Sequence, residues 1–196
     1  MDSLIYVHMK EPAVRVLGPG LRYVLWVQGC ERRCPGCTAP TAWDMRKGDP
    51  IPAAALAWEI ALSGAEGLTI SGGEPFLQAG ALGRMVELIR RRRDMGVIVY
   101  TGFLYEELLG MDGAQALLSR TDLLIDGPYI REMDDGRSLR GSSNQRVLPL
   151  TERYHSDLYL YGAEGRPIEH FQHGVEIHDV GVADHLKGIE QKGEKL

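Results

Sequence analysis

The chain has 196 residues, 44% hydrophobic and 25% charged, with 24 glycines and a formal net charge of −5. That apolar share supplies the core of one ordinary domain and excludes a disordered chain. The acidic balance argues against a general nucleic-acid binder, three cysteines argue against a closed disulfide framework, and no apolar run reaches the roughly 18 residues of a membrane span.

The opening MDSLIYVHMKEP begins with an acid and lacks a long apolar stretch, so no signal peptide is expected and the chain reads as soluble and cytoplasmic. The first clear strand is 22–28 (RYVLWVQ), which runs into a turn-rich loop ending near Pro52. Residues 53–62 (AAALAWEIAL) read as a helix, with Gly64 just beyond its end. A short buried strand at 67–71 (GLTIS) is stopped by Gly72 and Gly73. Leu82, Met85, Val86 and Ile89 give 78–93 a helical apolar spacing. A strand at 96–101 (GVIVYT), helices at 104–109 and 113–118, and a strand at 122–125 (DLLI) follow. Residues 129–145 read as a long surface loop, 157–161 (DLYLY) and 175–180 (VEIHDV) as further strands, and the end, KGIEQKGEKL, as frayed.

Strands alternating with helices predict an α/β fold, a parallel sheet covered by crossover helices. The C-terminal ends of parallel strands form the ligand face of such folds. Topology therefore brings Cys30, Gly72-Gly73, Thr101-Gly102 and Asp126-Gly127 to one rim.

Cys30, Cys34 and Cys37 are spaced C-x3-C-x2-C. Thiolates this close suit a soft metal or an iron–sulfur cluster, and Pro35-Gly36 lets the loop curl so that three sulfurs face one centre. Three ligands leave the fourth iron of a [4Fe–4S] cube without a protein cysteine, a place for substrate or cofactor. A Cys3His zinc site and three plain thiols are the alternatives that the spacing leaves open.

GCERRCPGC after one strand and ISGGEP after the next resemble the radical S-adenosylmethionine (SAM) superfamily. WVQGCERRCPGC, Thr41 to Asp44, YTGFLYEEL, LLIDGPYI and RGSSNQRVL are similar to the activating enzymes of anaerobic ribonucleotide reductase, over about residues 15 to 150. Two features depart from that pattern: Thr38-Ala39-Pro40 stands where His-Asn-Pro is usual, and the chain runs on by roughly 45 residues.

The resemblance implies a partial (βα) barrel of radical SAM type, with parallel strands and outer helices. Its core domain would span 1–150, with 151–196 a C-terminal extension of the same domain. It implies a [4Fe–4S] cluster held by Cys30, Cys34 and Cys37, with SAM chelating the fourth iron. Gly72, Gly73, Glu74, Tyr100, Thr101 and Asp126 are the expected cofactor-binding residues. Glycines at 72 and 73 would let backbone approach the methionine moiety, and Glu74 would accept hydrogen bonds from its ammonium. No separate catalytic side chain is expected, because the cofactor performs the hard step: reductive cleavage to a 5′-deoxyadenosyl radical.

The expected activity is installation of a glycyl radical on a partner enzyme such as anaerobic ribonucleotide reductase, with flavodoxin or ferredoxin as electron donor and neither nucleic acid nor membrane as partner. Alternatives are a small radical SAM enzyme acting on a peptide or metabolite, favoured by the two departures, and a zinc-binding interaction module. Arg90 to Arg93 reads as a solvated helix end, His170, His173 and His178 as surface histidines, and Trp26, Trp43 and Trp58 as packing residues. Residues 140–146 (RGSSNQR) are assigned to the mouth of the site or to partner docking.

Overall fold

Four β-branched-rich segments pair in parallel at the centre of one sheet. They are β2 (Arg22–Val27), β4 (Gly67–Gly72), β5 (Gly96–Tyr100) and β6 (Leu123–Asp126), flanked by antiparallel β1 (Leu4–Val14), β3 (Asp49–Pro52) and β7 (Arg146–Pro149). The spatial order is β3-β1-β2-β4-β5-β6-β7 in this computed structural model, which describes residues 3–174 and 176–182. Crossovers between the parallel strands pass through α1 (Ala53–Leu62), α2 (Ala79–Arg90), α3 (Tyr105–Leu109) and α4 (Gln115–Leu118). No described helix is long and apolar enough to cross a membrane.

Strict alternation along the strands gives the sheet two different faces. Tyr23, Leu25, Val27, Leu68, Ile70, Val97, Val99 and Leu124 join one core with buried residues of α1, α2 and α4, including Leu56, Leu82, Met85 and Leu117. On the opposite face Ile98, Leu123 and Ile125 are covered by Leu139, Tyr154 and Tyr161, while Val24 packs with Val14, Val16, Leu17 and Val180. The C-terminal segment thus covers the face that the helices leave open.

β1, β3 and β7 were not legible as strands, and each has a physical reason. β1 carries register irregularities after Val7 and Glu11, which break its period-2 pattern. β3 contains Pro50 and Pro52 and is tolerated because it lies at the sheet edge. β7 is a four-residue edge strand, RVLP, that ends on a proline and directly follows the polar loop.

The strand expected at 157–161 is not one: these residues lie within a 3-10 helix, Glu152–Gly162. Tyr154 and Tyr161 are buried against Ile98, Leu123 and Ile125 with Leu158 and Leu160 packed beside them, and the Thr151 hydroxyl accepts from the Arg153 N–H at its start. The alternation of Leu158 and Leu160 suggested a strand only because the window was short. The last expected strand exists as β9 (Glu176–Val180), paired with β8 (Glu169–His173) in a separate hairpin; Val175 and the end expected to fray, 187–196, lie outside the described residues.

At the N-terminal end of the parallel strands Arg22 is 1% exposed. Its guanidinium donates to the Leu68 carbonyl (2.5 Å), the Tyr154 hydroxyl (2.7 Å) and Thr69 Oγ1 (3.0 Å), tying the C-terminal segment to the sheet. Removing it strands these acceptors and leaves a cavity. Arg22→Ala should lower stability by about 2–4 kcal/mol, read as a shift of the urea midpoint.

Candidate functional site

The parallel register sets Val27 opposite Gly72. Two backbone bonds extend that ladder past the strand ends: the Gly73 N–H donates to Val27 O and the Glu74 N–H to Gly29 O, both at 2.7 Å. A Cβ at Gly72 would approach Val27 N to 2.5 Å, and one at Gly73 would collide with Gly29 O. The glycines are therefore required by the chain's own backbone, an internal constraint beyond the approach to a ligand expected of them.

Cys30, Cys34 and Cys37 are half-buried free thiols, and all three line one cavity of about 210 Å³ at the C-terminal ends of the strands. The loop between them turns through left-handed residues, Arg33 (φ 47°) and Gly36 (φ 76°). Burial pushes the Cys30 thiol up from its ordinary pKa, while the N–H groups of Arg32 and Arg33 draw it down. Among the described residues no three Cys, His, Asp or Glu side chains converge on one metal-ion position, and no histidine lines the cavity. A zinc ion needs its donors about 2.0–2.3 Å from a single point. Cluster thiolates bind separate irons and need only face a shared volume.

Glu74 is 1% exposed. Its Oε1 accepts from Thr101 Oγ1 (2.8 Å) and the Phe76 N–H (3.0 Å), and its Oε2 from the Gly102 N–H (2.8 Å). Burial raises the carboxyl pKa; these donors and the nearby Arg32 oppose the rise. Thr101 lines the cavity and also holds Glu74, its oxygen accepting from the Phe103 N–H in return. Tyr100 lines the cavity as well, its hydroxyl bonded to the Leu139 carbonyl at 2.9 Å and its pKa raised by burial.

Asp126, expected beside the cofactor, is fully buried and does not line the cavity. Its carboxylate is occupied by the Arg146 guanidinium and by the Tyr105 N–H (2.7 Å) at the start of α3. That pairing carries the 140–146 segment to the mouth: Gly127, Tyr129, Gly141 and Gln145 line the wall, with Gln145 Nε2 donating to Gly127 O at 2.9 Å.

Several supports were not legible in sequence. Gln78 bridges Tyr6 and the Gln28 carbonyl, while the Gln28 side chain donates to Thr41 O (2.8 Å) and Asp44 O (2.9 Å), which locks the turn after the cysteine loop. Arg32 lies 4.3 Å from the Phe103 ring centre and 2.9 Å from the Glu107 carboxylate, pinning the loop to α3. Trp26 and Trp43 line the cavity, whereas Trp58 is 55% exposed beneath Arg92. Arg90 pairs with Asp122 (2.6 Å) and Arg91 with Glu87, consistent with a helix end. His170 meets Asp179 at 2.7 Å on the surface.

A family model described as a 4Fe-4S single cluster domain matches residues 16–148. The anaerobic ribonucleoside-triphosphate reductase-activating protein of Vibrio cholerae is 35% identical over 157 residues, 74% of this chain and 97% of that protein. The chain belongs to the 4Fe–4S single-cluster family of radical SAM activating enzymes. Its Escherichia coli relative of the same name is 31% identical over 151 residues, 71% of this chain and 96% of that protein. The pyruvate formate-lyase-activating enzyme of Streptococcus mutans is 28% identical over 170 residues, 83% of this chain and 62% of that enzyme.

The site suits the family's cluster and cofactor. Three thiols share a cavity with a buried carboxylate, and among the described residues two buried N–H groups of its lining residues, Arg32 Nε and Trp43 Nε1, have no acceptor. Such orphans cost about 1–3 kcal/mol each unless something else meets them. Thr101→Val keeps the shape but deprives Glu74 of a donor and the Phe103 N–H of an acceptor. It should destabilise the protein by about 1–3 kcal/mol in a denaturant titration.

Proposed function

We propose that this protein installs the glycyl radical of an anaerobic ribonucleotide reductase. The observation that carries the reading is the sharing of one cavity by the three thiols and the Gly72-Gly73-Glu74 turn. The bound cluster and SAM supply the reductive cleavage that yields a 5′-deoxyadenosyl radical, which takes hydrogen from a glycine of the partner. In this reading Cys30, Cys34 and Cys37 each hold one iron and leave the fourth open to SAM. Glu74 accepts the cofactor's ammonium in a charge-assisted bond, held in place by Thr101. The backbone at Gly72 and Gly73 borders the methionine moiety, and Tyr100 and Thr101 border the nucleoside. Asp126 contributes through Arg146 and the start of α3, holding the wall on which the nucleoside rests.

The fold is read as a radical SAM partial (βα) barrel, supported by the four parallel strands and by the packing of the crossover helices α1, α2, α3 and α4 on one face of the sheet. Its core is assigned to 1–150, with 151–196 as an extension of the same domain. The partner's glycine-bearing loop enters at the wall formed by Tyr129, Gly141 and Gln145. Flavodoxin or ferredoxin supplies the electron, in the cytoplasm, without nucleic acid or membrane.

Anaerobic incubation with dithionite, SAM and an anaerobic ribonucleotide reductase should produce a glycyl radical signal by electron paramagnetic resonance. Absence of the signal from a partner shown to accept a radical from its own activase contradicts the assignment. Cys34→Ala should lose the signal along with most of the cluster iron; retention of both removes Cys34 from the ligand set.

A further inference from the structure

The cavity does not end at the rim. Trp26 pairs with Ser71 across β2 and β4, and the Ile70–Val99 register of β4 and β5 brings Tyr100 beside Ser71. These three residues directly precede Val27, Gly72 and Thr101, and all three line the cavity. Trp26 packs with the cluster around Val24 and Tyr100 with the cluster around Ile98, so the row lies on the sheet face that the helices leave open. It forms a floor beneath the turns that carry the cysteines and Glu74.

The chain beyond residue 148, where the family match ends, builds sides for this floor. Phe171, Val180 and Val182 pack with Leu17 and Trp26, and Leu17, Gly181 and Val182 line the cavity. The same segment holds the mouth through Arg166. That guanidinium donates to the Arg140 and Gly141 carbonyls, both at 2.9 Å, and pairs with Asp134 at 2.7 Å. Gly141 and Tyr129 in turn line the wall. Leu17, Trp26 and Val182 carry no charge, and the charged side chains of the lining, Arg32 and Glu74, are engaged by Glu107 and by Thr101 and Gly102. An ionic side chain seated on this floor would lose its water without gaining a free counter-charge. The occupant that suits it is an uncharged, slender stretch of chain, and glycine leaves the backbone barest.

We propose that the C-terminal segment forms one side of the seat for the partner's glycine-bearing loop, with Val182 setting its width. The inference rests on the function proposed above and adds the residue that limits what reaches the radical. A larger side chain at 182 takes space from the incoming loop, while the thiols and the Gly72-Gly73-Glu74 turn stand on other elements. The effect therefore falls on partner binding and not on the cofactor.

The test compares reconstituted full-length Val182→Trp with the wild type and with Ile177→Trp, which changes a 69% exposed residue of the same hairpin. With an anaerobic ribonucleotide reductase, Val182→Trp should need about tenfold more partner for half-maximal glycyl radical, the scale of a modest overpacking penalty. Its SAM affinity by equilibrium dialysis should match that of the wild type, and Ile177→Trp should match the wild type in both. In the wild type, the amides of residues 180–182 should exchange hydrogen more slowly once the partner is bound. An unchanged partner requirement in Val182→Trp overturns the inference and leaves the proposed function standing. So does a loss of SAM affinity in Val182→Trp, because the wall then borders the cofactor. If Val182→Trp holds no cluster, the exchange measurement decides, and amides unaffected by the partner overturn the inference. A wild type that cleaves SAM yet gives no radical in a partner that accepts one from its own activase overturns both.

Discussion

One backbone hydrogen bond joins the two motifs that define this protein. The Glu74 N–H reaches Gly29 O just beyond the paired ends of β4 and β2, so the cysteine loop and the Gly-Gly-Glu turn leave the sheet as one unit. That approach is possible only because residues 72 and 73 have no side chains to fill the gap between the two turns. Everything else at the rim is arranged around this junction. Thr101 and Gly102 fasten β5 to the Glu74 carboxylate, and the Gln28–Gln78 pair fastens β1 and the turn at 41–44 to the same place.

The site is costly by itself. A carboxyl is buried at Glu74, Arg33 takes a left-handed backbone conformation, and among the described residues the buried Arg32 Nε and Trp43 Nε1 have no acceptor. Each runs against stability, and functional sites are where such departures accumulate. The fold offsets them with a helix-covered core on one face of the sheet and with Arg22, Tyr154 and Tyr161 on the other. The chain beyond 150 is part of that arrangement: Tyr154 and Tyr161 cap β5 and β6, and Val180 packs against Val14 and Val24. Gly181 and Val182 reach the cavity itself, so the extension bears on the site as well as on the core.

What was legible in sequence was local. Apolar runs ended by glycine gave the four parallel strands, and the motifs at their ends were contiguous enough to read without a partner. What was not legible depended on distant choices. β1 is a strand because β2 offers it an antiparallel edge, and β3 because β1 does, not because their own residues alternate cleanly. Residues 157–161 alternate like a strand yet wind as a 3-10 helix, since Tyr154 and Tyr161 have a sheet face to cover. Asp126 reads as a rim contact from its place at the end of β6, while its carboxylate is engaged by Arg146, twenty positions on.

The central claim is that three protein thiolates hold a [4Fe–4S] cluster whose fourth iron is open to SAM. Iron-57 Mössbauer spectroscopy of the reconstituted protein, recorded with and without SAM, tests it most directly. The account predicts that one iron in four changes its isomer shift when the cofactor is added, while the other three do not. A spectrum unchanged by SAM in all four irons would contradict it.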